Sequence, residues 1–70
     1  MAKPHIPEQK SRSETYRGVE LNVWASREPT GKWVWSYTAG MQWGRHRGAQ
    51  LPSAEAALMQ GMLAARTRVC

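Results

Sequence analysis

The feature that most constrains this chain is the run Lys32-Trp33-Val34-Trp35-Ser36-Tyr37-Thr38, where an aromatic residue occupies every second position. A period of two belongs to a strand, so Trp33, Trp35 and Tyr37 share one face while Val34, Ser36 and Thr38 share the other. Seventy residues supply one small domain. A domain of that size buries only about 60% of its unfolded surface, so its apolar area must be concentrated in few side chains. Each buried aromatic withdraws roughly 200 Å² from water, which makes the Trp33-Trp35-Tyr37 face the natural floor of a core. Hydrophobic residues make up 41% and charged residues 21%, a balance that excludes wholesale disorder.

The segment that covers this floor must be able to lie close to bulky side chains. Pro52-Ser53 followed by Ala54-Glu55-Ala56-Ala57 announces a helix, predicted from Ser53 to about Thr67. Ser53 is its cap, Glu55 stands in the first turn, and Arg66 and Arg68 fall at the far end, where the helix dipole favours positive charge. At 100° per residue, Ala54, Ala57, Leu58, Gly61 and Ala65 share one face, small enough to approach a sheet of aromatics. Gly61 is the weak helix former of the run, at a cost of about 1 kcal/mol.

Val19 to Ala25 alternates as well, with Val19, Leu21, Val23 and Ala25 on one face and Glu20, Asn22 and Trp24 on the other. Glu28-Pro29-Thr30-Gly31 joins this strand to the aromatic one as a hairpin turn. After Ala39-Gly40, the residues Met41-Gln42-Trp43 begin a third strand whose far end blurs in the glycine-flanked Arg45-His46-Arg47. Residues 1–15 hold Pro4 and Pro7, mixed charge and little apolar surface, and read as a disordered tail. The expected fold class is therefore α+β. A three-stranded antiparallel sheet packs on one C-terminal helix in the order β-β-β-α, with the domain spanning 16–70 behind a flexible 1–15. Val19, Leu21, Val23, Trp33, Trp35 and Tyr37 are predicted to face the helix.

The order Tyr16-Arg17-Gly18-Val19, a tryptophan, Gly31-Lys32-Trp33-Val34 and then Ser53-Ala54-Glu55-Ala56-Ala57 resembles the plant ethylene-response-factor DNA-binding domain. The arm-binding domains of phage integrases look like the same architecture. The resemblance covers about 16–66 and implies a three-stranded sheet with one packed helix, whose uncovered face enters the major groove of DNA. On the first strand, Glu20 and Asn22 stand where that family carries arginines. The resemblance therefore implies Arg17, Trp24 and Lys32 as nucleic-acid contacts.

Catalysis needs a base, a nucleophile or a metal in a shaped pocket. The chain has no Asp, five dispersed Glu, His5, His46 and a single cysteine, Cys70. No disulfide framework or thiolate zinc cage can be assembled from these, so no enzyme activity, cofactor or metal is expected. His46, between two arginines, reads as a solvated loop residue. No apolar run reaches the roughly 20 residues of a membrane span, and no signal-peptide pattern follows Met1. A cytoplasmic protein is expected.

Two kinds of partner remain. The net charge is +5, and residues 45–70 carry Arg45, Arg47, Arg66 and Arg68 against Glu55 alone. Arg45 and Arg47 suit phosphate, and Trp24 or Trp43, where exposed, can stack on bases. On the outer side of the helix, Met59 and Leu63 are four residues apart and form one apolar patch that suits a homodimer or a protein partner. The sequence thus points to a small non-enzymatic interaction module acting through self-association or a protein partner. Its alternative is a nucleic-acid-binding module that takes single strands or binds without reading sequence.

Overall fold

The computed structural model describes residues 8–69. Four strands and a helix follow one another: β1 (Gln9–Tyr16), β2 (Val19–Arg27), β3 (Trp33–Ala39), β4 (Gln42–Arg45) and α1 (Ala54–Val69). The strands form one antiparallel sheet in sequence order. The protein is α+β with a C-terminal helix, as expected, but the sheet has four strands rather than three.

The additional strand comes from the segment read as tail, so from Gln9 onward that reading is corrected. The remainder of the expected tail, residues 1–7, lies outside the described residues. β1 buries little, and composition gave no hint of it. Its order comes from pairing: every residue from Gln9 to Tyr16 faces a residue of β2. The turn between them is Arg17-Gly18, both at positive φ (52° and 78°), the handedness that matches the twist of a tight hairpin. β1 is also tied to the helix. The Arg66 guanidinium donates to both carboxylate oxygens of Glu14, from Nε at 2.6 Å and from Nη2 at 2.8 Å. A fork of this kind fixes geometry as well as charge.

The aromatic alternation falls in the expected register. Leu21, Val23, Ala25, Trp33, Tyr37 and Ala39 are buried beneath the helix, with Val19 and Trp35 packed against them. On the opposite face Ser13 Oγ donates to Asn22 Oδ1 (2.7 Å), and Asn22 Nδ2 donates to Thr38 Oγ1 (3.4 Å), a polar row across three strands. α1 starts where its cap predicts: Ser53 Oγ accepts from the Ala56 N–H at 3.1 Å. The helix continues to Val69, past the expected Thr67, and buries Met62 in addition to Ala57, Leu58, Gly61 and Ala65. Before it, Leu51 and Trp33 exchange backbone hydrogen bonds at 2.8 Å, which ties the linker to the start of β3.

Gly61 is more than a weak helix former. A Cβ built there would lie 2.5 Å from Val23 Cγ1 and 3.2 Å from Trp35 Cβ, so the helix backbone rests directly on the sheet. Gly61→Ala should therefore destabilise the fold by about 1–3 kcal/mol through overpacking, although alanine is the better helix former. A denaturant melt checks this, and an increase in stability would refute the close approach.

The Arg66 fork holds the Glu14 carboxyl below the usual glutamate range, chiefly through the hydrogen bond and then through the charges of Arg66 and Arg12. A lowered carboxyl pKa contributes stability that is complete above the ordinary glutamate range and is lost as pH falls through the lowered value. Hydrogen exchange along β1 should accelerate in that acid window. In Glu14→Gln it should be faster at neutral pH and lose that part of its acid dependence.

Candidate functional site

β4 is short, and Gly44 leaves a gap in its helix-side face. Tyr37 fills that gap: a Cβ on Gly44 would lie 2.5 Å from Tyr37 Cζ. The ring thus passes beneath the edge strand, where its hydroxyl accepts a 2.9 Å hydrogen bond from Arg68 Nε. Between β4 and the C-terminal half of α1 this leaves an open groove of about 560 Å³. Trp35 and Tyr37 form its floor, Ala64, Thr67 and Arg68 its helix wall, and Trp43, Arg45 and Arg47 its outer rim. Trp43 is 66% exposed, with the Arg45 guanidinium 5.8 Å from its ring centroid, within cation–π range. Among the described residues, three arginines line the groove and no carboxylate side chain does.

His46 closes the floor at one end. Its N–H continues the ladder to the Trp35 carbonyl at 2.7 Å, its ring meets Trp35 edge-on at 5.3 Å, and its Nε2 donates to the Ala49 carbonyl at 2.8 Å. The expectation of a solvated loop histidine is corrected: the ring is half-buried. The buried His46 Nδ1 and Trp35 Nε1 have no hydrogen-bond partner among the described residues.

The five residues singled out for nucleic acid do not form one site. Arg45 and Arg47 stand together at the groove. Trp24 lies on the uncovered sheet face, in one row with Ser36 and Arg45, two strands away, or about 10 Å. Arg17 sits in the β1–β2 turn and Lys32 just ahead of β3, so the length of β2, roughly 30 Å, separates them. Arg66, one of the arginines in the charge argument, is bound to Glu14 and faces β1. Arg68 takes its place at the groove. Arg68 is counted in the same charge argument but not placed by it, and Tyr37 has no sequence signal as a site residue, because the Gly44 gap that joins them exists only once β3 and β4 pair.

On the outer surface of α1, Met59 and Leu63 are 57% and 56% exposed, and no described residue covers them. His5 and Cys70 lie outside the described residues. Among the described residues, no three His, Cys, Asp or Glu side chains come together to hold a metal ion, and no helix is long and apolar enough to cross a membrane. No family model, curated protein or solved structure matches this chain.

Gly44→Ala tests how the groove is made. Its methyl must displace the Tyr37 ring, with an expected loss of about 1–3 kcal/mol. The near-UV signal of the aromatics should change with it. A variant as stable as the parent, with unchanged near-UV signal, would refute the role of the gap.

Proposed function

We propose that this chain is a small non-enzymatic interaction module whose β4-edge groove binds single-stranded nucleic acid without reading its sequence. One observation carries the reading: Arg45, Arg47 and Arg68 line one groove beside exposed Trp43, and no Glu side chain among the described residues joins them. Guanidinium groups match phosphate geometry, and an exposed indole is a stacking surface for any base. Sequence reading has weaker support. On the uncovered sheet face the strands contribute Glu20 and Arg45 as their only charges, and the Ser13-Asn22-Thr38 row bonds to itself. A carboxylate on a DNA-facing surface repels phosphate.

Self-association is a second reading, favoured by a separate observation. Met59 and Leu63 leave an apolar patch exposed one turn apart on α1.

Titration with short single-stranded oligonucleotides at two salt concentrations tests the first reading. Affinity should fall steeply between about 50 and 200 mM salt. Replacing Arg45 and Arg47 together by Ala should weaken binding alike for all sequences and lower the salt slope by roughly 1–2. Trp43→Ala should weaken binding with the slope unchanged. Absence of binding at the lower salt would overturn the proposal.

A further inference from the structure

β1 ends the sheet on one side, and among the described residues no strand lies beyond it. The direction of its free backbone groups follows from the ladder. Arg27 N–H donates to the Glu8 carbonyl at 2.9 Å, so Glu8 and Arg27 form a hydrogen-bonded pair. In an antiparallel ladder such pairs alternate, which assigns Lys10, Arg12, Glu14 and Tyr16 to bonding with β2. Gln9, Ser11, Ser13 and Thr15 turn their N–H and C=O groups outward. The strand is eight residues long and contains neither Pro nor Gly, so this edge is an uninterrupted template for another strand. The side chains of those outward-bonding residues are small or flexible and uncharged.

The charges of β1 lie on the helix side of the sheet, and they discriminate between registers. Consider a second copy of β1 running antiparallel about a two-fold axis. Centred on Ser11, the pairing sets Lys10 against Arg12. Centred on Arg12 it sets Lys10 against the second copy's Glu14 on either side but that arginine against itself, and centred on Glu14 it sets the glutamate against itself. Centred on Ser13, it sets Arg12 against the second copy's Glu14 and Glu14 against the second copy's Arg12, both attractive, and Lys10 against Tyr16. Like charges directly opposite one another are unfavourable, and of these four registers only the one centred on Ser13 joins opposite charges with no like pair between them.

We propose that the β1 edge pairs with β1 of a second copy, antiparallel and centred on Ser13, to make one continuous sheet. Ser11 then exchanges ladder bonds with the second copy's Thr15, and Ser13 with its own counterpart. The two-fold stands perpendicular to the sheet, so both helices lie on the same face. Met59 precedes Arg66 by two helical turns on one side of α1, and Arg66 reaches Glu14 of β1. The exposed Met59 is therefore on the flank of the helix that faces the two-fold. The inference rests on the self-association reading and assigns its primary contact to the sheet edge rather than the helix.

Disulfide trapping of the full-length chain tests the register. In a Cys70→Ser background, Ser13→Cys places two thiol-bearing residues about 5.5 Å apart at Cα, within the ~4.4–6.8 Å of a disulfide. It should cross-link to dimer in air. Ser11→Cys, offset by four residues or roughly 13 Å, should stay unlinked. Ser13→Pro removes an outward N–H without breaking a bond to β2 and should halve the mass of the reduced protein in sedimentation. Cross-linking of Ser11→Cys as readily as Ser13→Cys would overturn the proposal. So would a dimer that survives Ser13→Pro but is lost in Met59→Lys, Leu63→Glu, which would leave self-association standing through the helix face. A parent protein that is monomeric at every concentration would overturn both. If Ser13→Pro fails to fold, the cysteine pair decides alone.

Discussion

The close seating of α1 on the sheet at Gly61 is the contact on which the rest of the structure depends. With only hydrogen at that position, the helix backbone reaches Val23 and Trp35 directly, and Ala57 and Ala65 extend the approach on either side. A sheet bearing Trp33, Trp35 and Tyr37 would hold an ordinary Leu-faced helix further away. Here the bulk is supplied by the sheet and the smoothness by the helix, which is how so short a chain fills its interior. Leu21 and Val23, fully buried between them, each contribute about 1.5–3 kcal/mol.

The same seating sets the position of the helix's last turns and so the fate of its two arginines. Arg66 and Arg68 are two residues apart, about 200° around the axis, so they leave the helix on opposite sides. Arg66 turns to β1 and closes on Glu14, where its charge is neutralised. Arg68 turns to β4 and reaches the Tyr37 hydroxyl, where its charge adds to those of Arg45 and Arg47. One arginine is structural and the other belongs to the groove, a division made by which edge of the sheet each one meets. Three of the ten basic side chains thereby meet at one groove.

The two edges of the sheet differ in kind. β4 is short, interrupted by Gly44 and backed by aromatic rings, so it opens as a groove for side-chain contacts. β1 is long, regular and polar, so it offers backbone groups. A ligand in the groove and a second copy on β1 occupy opposite sides of the sheet, and the two proposed associations do not compete.

Alternation from Val19 and from Trp33, the Pro-Gly turn, the Ser53 cap and the small helix face were enough to determine two strands, the helix and which face of each strand meets it. Each is a signal written within a few neighbouring residues and read by one physical rule. β1 was not legible, because an exposed edge strand of Ser, Thr, Lys and Arg has the composition of a tail and is ordered by its partner strand. The groove was legible in part: Arg45 and Arg47 stand out as a basic pair flanked by glycines. Its floor and helix wall stayed hidden, since Tyr37, Gly44 and Arg68 meet only when β3, β4 and α1 have packed. The sequence by itself determined the elements whose stability is local, their periodicities, caps and turns. Only the tertiary structure decided which charges are paired and which are free, because a charge partner 52 residues away is set by packing and leaves no pattern along the chain.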